Sequence, residues 1–247
     1  MAKDVFLHVA GKYTTEVAQY KSIEWRGDGA SKISLDGRTS MSEMSVELGA
    51  KCGIFEADKV TLDYLNERAK GPFNVVKADK GASYEKVLAV DLSGIDPLVA
   101  KPHFVGNVVP VGEVEGTHID QAFVGTCSNG RMEDMRMVAK IVKGKKAHEG
   151  TKFIVTPASA EIYRKASAEG LLTTIVEAGG MITNPSCGAC TGFAGVLAEG
   201  ETCLAAAPRN FMGRMGSNKA NIYLGSPATV AVSALKGEIT DPRKYVQ

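Results

Sequence analysis

The chain has 247 residues, 44% of them hydrophobic and 23% charged, and its 29 Lys and Arg against 28 Asp and Glu leave a formal net charge of +1. That balance excludes a nucleic-acid footprint, because the basic residues are scattered among acids, and no stretch reaches the roughly 20 apolar residues needed to cross a bilayer. Five cysteines without a disulfide-like pattern suit a reducing cytoplasm, and MAKDVFLHVAGKYTTE has too short an apolar segment and no cleavage site for a signal peptide.

In chain order, Asp4 to Ala10 and Ser22 to Arg26 read as strands, Ser40 to Leu48 as a helix, and Cys52 to Phe55 as a strand. Asp58 to Arg68 reads as an amphipathic helix opened by its Asp cap, and Lys86 to Leu92 as a further strand. The Pro-, Gly- and Val-rich stretch from Ser93 to Gly116 reads as a domain boundary, dividing the chain into residues 1–100, a linker at 101–116, and residues 117–247. The second part alternates strand Ala122 to Gly125, helix Met132 to Lys143, strand Phe153 to Thr156, and helix Ser159 to Glu169. A helix from Leu171, strand Thr202 to Ala206 and helix Pro227 to Lys236 follow. Such alternation predicts α/β layers around a mostly parallel sheet.

Three cysteines in two glycine-bearing loops carry the chemistry: Cys127 in GTCSNGR, and Cys187 and Cys190 in PSCGACTG. Cys127 follows a buried-strand pattern and precedes a helical one, a position at which aligned peptide dipoles lower a thiol's pKa. Gly188 and Gly192 let the second loop bend closely around a bulky ligand, and Pro185 stops whatever precedes it. On spacing alone, a CxxC equally suits a redox dithiol or half of a zinc site, and Cys127 alone equally suits a buried apolar residue. Zinc is weakened by the absence of a second CxxC or a nearby His pair. A thioredoxin-like site is weakened by the late position of Cys187. A cluster held by three thiolates, with one iron open, is the remaining reading.

The strings DGRTSMSEMSVELGAKCGIF, FVGTCSNGRMEDM, NPSCGACTG and PRNFMGRMG...IYLGSPATVAVSAL, in that order, resemble the aconitase superfamily, most closely the large subunits of 3-isopropylmalate dehydratase and its homoaconitase relatives. The resemblance implies two three-layer α/β/α domains of the aconitase iron-sulfur type, with mostly parallel or mixed sheets. It also implies a [4Fe-4S] cluster on Cys127, Cys187 and Cys190 with one iron not ligated by protein. The expected activity is dehydration and rehydration of a hydroxy di- or tricarboxylic acid. 3-Isopropylmalate, in leucine biosynthesis, is the first choice, and homocitrate-type substrates, citrate and dimethylmalate follow. Large subunits of this kind carry a further α/β domain ahead of MAKDVFLHVAGK and act with a small swivelling subunit that bears a serine base. The expectation is that this chain lacks both and is inactive alone, whether the gene is split or the chain is a fragment.

Glu47 reads on its own as a solvated helix carboxylate; the resemblance implies that it faces the open iron and exchanges a proton with the hydroxyl there. Arg209 and Arg214 in PRNFMGRMG read as surface basic residues or as forks matched to carboxylates, and the resemblance places them at the substrate. Two positions depart from the family pattern, Glu43 and Pro208, where an Asn is common at each; both bear on substrate identity and cluster stability. Cys52 and Cys203 read as core residues, and His8, His103 and His118 as structural. The rival readings are a non-catalytic cluster-binding module and a zinc or dithiol protein.

Overall fold

A computed structural model describes residues 1–246. In chain order the elements are α1 (Ala2–Tyr13), β1 (Ser22–Trp25), α2 (Asp28–Ser31), α3 (Leu35–Met44), β2 (Cys52–Phe55), α4 (Lys59–Arg68), β3 (Leu98–Ala100) and β4 (Val108–Pro110). Then follow β5 (Gln121–Gly125), α5 (Thr126–Asn129), α6 (Met132–Val142), β6 (Lys152–Thr156), α7 (Ala160–Ala168), α8 (Leu171–Glu177), β7 (Met181–Ile182), β8 (Thr202–Ala206), β9 (Asn221–Leu224) and α9 (Pro227–Lys236).

The helices begin where sequence chemistry provides an acceptor for their free amides. Asp58 accepts from Thr61 N at the head of α4, Ser159 from Ile162 N at α7, and Ser226 from Thr229 N at α9. Helix α9 also has Pro227 in its first turn and ends at Gly237, whose φ of 75° is the left-handed cap.

Among the described residues the larger sheet has seven strands in the order β4-β3-β9-β8-β5-β6-β7. Strands β5 to β9 run parallel, and β3 is antiparallel to both β9 and β4. Alternation along each central strand divides two cores. Ala122 and Val124 of β5, Val155 of β6, and Leu204 and Ala206 of β8 pack with α6, α8 and α9. Phe123, Ile154, Cys203 and Ala205 face the opposite layer, with Phe6 and Leu7 of α1 and Met41 and Met44 of α3. The result is a three-layer α/β/α arrangement. A separate two-stranded parallel sheet, β1 with β2, lies beside α3.

Three expectations are corrected. Asp4 to Ala10 is helical, not a strand: the fully buried Phe6, Leu7 and Ala10 share one face at helical spacing, and the run of apolar residues hides the period. Lys86 to Leu92 forms no strand; it has no ladder partner and leaves Val87 exposed. The stretch 93–116 carries β3 and β4, which pair into the large sheet, and residues of 1–100 share a core with residues of 117–247. Strands β7 and β9 were not foreseen; β7 is two residues long, and β9 alternates half-buried and buried positions.

Candidate functional site

From β5 the parallel sheet extends one way through β6 and β7 and the other way through β8 and β9. The connection therefore reverses at β5, and in open α/β sheets a crevice opens beyond the carboxyl ends of the strands at such a point. Cys127 follows the end of β5 by two residues, the PSCGACTG loop follows β7, and Arg209 follows β8. One topological feature brings the three predicted segments to one edge of the sheet.

Tight backbone contacts shape that edge. Gly188 has φ of 44°, and a Cβ there would meet Thr156 Oγ1 at 3.1 Å. Gly192 has φ of 74°, and a Cβ would lie 2.9 Å from the carbonyl carbon of Met215, so the loop closes only with glycine at this place. Between them, Gly188–Thr191 forms a 3-10 turn with Cys190 N donating to Cys187 O at 3.0 Å. Side chains three apart on such a turn eclipse, which sets Cys187 and Cys190 on the same side of the loop. Cys187 is exposed and Cys190 is buried.

Glu43 and Glu47 come from α3 and the 3-10 turn Ser45–Leu48 that continues it, where a single helix over Ser40 to Leu48 was expected. The Cys127 thiol donates to Glu43 Oε1 at 3.4 Å, while Glu43 Oε2 is buried without a hydrogen-bond partner. Arg209 Nε donates to Glu47 Oε1 at 2.5 Å. Arg214 Nη2 donates to Cys190 Sγ at 3.5 Å, and Arg214 Nε is buried and unpartnered. Asn210, fully buried between the two arginines, holds their loop by donating to Lys101 O and Ile222 O at 2.9 and 3.2 Å.

The electrostatics run against one expectation. The Cys127 thiol is pushed up, first by partial burial and then by the Glu43 carboxylate. Helix α5 has only four residues, too short a stack of peptide dipoles to offset that pair of effects. Glu47 is also raised, chiefly by burial, with Glu43 adding to the rise and Arg209 opposing it. Cys203 lies fully buried in β8 with its thiol pushed up to about 12 by burial, and Cys52 lies exposed in β2 beside Ser22. Sequence reasoning missed Lys3, whose ammonium is buried behind this edge and donates to Ala207 O at 2.6 Å.

The donors present suit the expected iron-sulfur cluster. Cys127, Cys187 and Cys190 are all free thiols, and the orphaned Glu43 Oε2 and Arg214 Nε are polar atoms without a protein partner at the same edge. Among the described residues no three His, Cys, Asp or Glu side chains converge as a single ion requires. Three thiolates would each bind a different iron of a cluster, so their sulfurs need not meet at one point.

A profile of the aconitase family (aconitate hydratase) matches residues 1–117 and 112–237. The chain is 47% identical, over 99% of its length, to 3-isopropylmalate dehydratase large subunit 2 of Archaeoglobus fulgidus, of which it covers 59%. It is 48% identical, over 98% of its length, to a probable methanogen homoaconitase large subunit of Methanosarcina mazei, of which it covers 62%. With the 3-isopropylmalate dehydratase large subunit of Elusimicrobium minutum it shares 45% identity over its whole length, again covering 59%. The chain thus spans about three-fifths of the length of these relatives. Matched along nearly all of its residues by the profile and by relatives far above 30% identity, the chain belongs to the aconitase family.

Proposed function

We propose that this chain is the cluster-bearing part of an iron-sulfur hydro-lyase that isomerises a hydroxy di- or tricarboxylic acid by dehydration and rehydration. Membership of the aconitase family implies an iron-sulfur cluster, and Cys127, Cys187 and Cys190 would hold it with one iron free of protein ligands. When bound, it supplies a Lewis acid that makes the substrate hydroxyl a feasible leaving group. The observation that carries the reading is the meeting of Arg209 and Glu47, from opposite parts of the sequence, at the sheet edge that also holds Cys127 and Cys190.

Each residue has a definable task. Glu47, raised by burial yet held by Arg209, is a carboxyl able to give a proton to the departing hydroxyl, so that it leaves as water, and to take one from water on rehydration. Arg209 engages Glu47 through Nε, and its Nη pair is the fork a substrate carboxylate would take. Arg214 donates to the Cys190 sulfur and so fixes that ligand's orientation. Both guanidiniums would also stabilise the charge that builds when a proton leaves the carbon next to a carboxylate.

The relatives named 3-isopropylmalate dehydratase favour 3-isopropylmalate, with leucine biosynthesis as the setting; those named homoaconitase make a homocitrate-type acid the next choice. As large subunits they also favour a small swivelling subunit as partner, together with an α/β domain on a preceding or separate chain. A cytoplasmic setting agrees with five free thiols, and among the described residues no helix is long and apolar enough to span a membrane. The test is anaerobic reconstitution with iron and sulfide, followed by addition of the partner subunit and an unsaturated dicarboxylate. Loss of the double bond's ultraviolet absorbance is expected; stoichiometric zinc in place of iron would overturn the reading.

A further inference from the structure

Lys3 is 1% exposed. It lies on the side of α1 that buries Phe6, Leu7 and Ala10, three, four and seven residues on. A buried ammonium is costly to desolvate and persists where hydrogen bonds and opposite charges surround it. Nζ donates to Ala207 O at 2.6 Å and to Met44 Sδ at 3.3 Å. Ala207 stands two residues before Arg209, and Met44 stands next to Glu43 and three residues before Glu47. One side chain therefore joins the loop that presents the arginine to the helix that presents both carboxylates.

The charges around it are mostly of one sign. Burial lowers the Lys3 pKa to about 8, while Glu43, Cys190, Glu47 and Asp4, in that order, act to keep the proton on. Lys3 is thus a cation at neutral pH. A lone lysine in an apolar run reads in sequence as a side chain that reaches back to solvent, and nothing in AKDVFLHVAGK announces otherwise.

We propose that Lys3 is a positioning residue, latching the Arg209 loop to the Glu43 and Glu47 segment and placing a fixed positive charge behind the cluster ligands. The latch is a property of the protein without any cluster. Only the effect of its charge on a cluster rests on the hydro-lyase reading.

The experiment compares the purified protein with Lys3→Met, which keeps the length and loses the donor, and Lys3→Gln, which keeps a neutral donor on a shorter stem. Lys12→Met, on the exposed side of the same helix, is the control. In the cluster-free protein, amide exchange over residues 204–214 should quicken about ten-fold in Lys3→Met, the effect of one lost buried hydrogen bond. It should be partly restored in Lys3→Gln and unchanged in Lys12→Met. After reconstitution, the cluster's reduction potential should fall in both Lys3 variants, because a nearby cation favours the added electron. Unchanged exchange and unchanged potential would overturn the proposal. So would faster exchange throughout β5 and β6, which marks a plain packing role; if Lys3→Met does not fold, Lys3→Gln decides by its potential and its exchange. Failure of the wild-type protein to take up a cluster would count against the hydro-lyase reading alone, and the exchange comparison would still decide the latch.

Discussion

Arg209 Nε and Glu47 Oε1 are 2.5 Å apart, so the residue expected to bind substrate also governs the residue expected to move its proton. Burial raises the Glu47 carboxyl, and the Arg209 hydrogen bond is the largest effect in the opposite direction. A charge-assisted bond of this kind favours the ionised form.

Hydration of the unsaturated acid, in which ionised Glu47 takes a proton from water, should therefore slow as pH drops through its pKa. In Arg209→Gln that acidic limb should move to higher pH, because the opposing hydrogen bond is gone. Glu47→Gln should lower kcat by about 10²- to 10⁴-fold, the usual loss on removing a proton-transfer group. Arg209→Lys should lower kcat/KM strongly, since a point charge cannot reproduce the fork. The pH–rate profiles of the assembled enzyme measure all three. An acidic limb that stays in place in Arg209→Gln would separate Glu47 from the proton step.

The cysteines divide by location. Serine at Cys127, Cys187 or Cys190 should abolish the broad visible absorption of the reconstituted protein, whereas Cys52→Ser and Cys203→Ser should retain it. Iron and sulfide analysis reports the outcome directly. Glu43 adds a sharper test, because it accepts from the Cys127 thiol and helps to raise it after burial. Glu43→Asn removes that charge, so in cluster-free protein Cys127 should alkylate several-fold faster at mildly alkaline pH.

Asp134 provides a handle on stability away from the site's chemistry. It caps α6 by accepting from Arg131 N at 3.0 Å, yet it is only 5% exposed, and burial pushes its carboxyl up to about 8. The folded carboxyl thus keeps its proton over a range in which the unfolded one, near its ordinary value of about 3.9, has lost it. Protons bound only in the folded state make stability fall as pH rises. Stability should decline from about pH 4 to about pH 8, by on the order of a few kcal/mol, and level off above. Asp134→Asn, which retains the capping acceptor, should flatten that slope in denaturant titrations across this range.

The parallel βαβ succession and the cysteine loops were legible because they rest on local signals: apolar strand runs, helix caps, and glycines beside thiols. Helix α1 was not, since its inward face reads as a nearly continuous apolar run in which period two and period 3.6 are hard to separate. Strands β3 and β4 were hidden by the proline and glycine of their surroundings, and the pairing of β3 with β9, which joins both to the sheet, is made with residues more than a hundred positions away. Glu43 was noticed as a departure from pattern but not as the partner of Cys127, and Lys3 not at all. Both depend on tertiary placement: Glu43 meets a thiol 84 residues on, and Lys3 a carbonyl 204 residues on.

The site as described offers thiolates for a cluster, two arginine forks and Glu47, but no second base placed to take a proton from carbon, which dehydration also requires. Large apolar side chains stand exposed on the loops that carry the site residues, with Phe193 at 90% and Met212 at 60%. Such surface is covered in a working assembly more often than it faces water. The cluster-loaded chain by itself should therefore show no turnover of 3-isopropylmalate or its dehydrated form. Addition of the small subunit and the further α/β domain should produce hydration of the unsaturated acid, and Phe193→Ser should weaken that reconstitution without reducing iron content. Robust turnover by the isolated chain would show that the proton from carbon is handled within these residues. A loaded cluster with no turnover beside any such partner would favour the cluster-holding module over the enzyme.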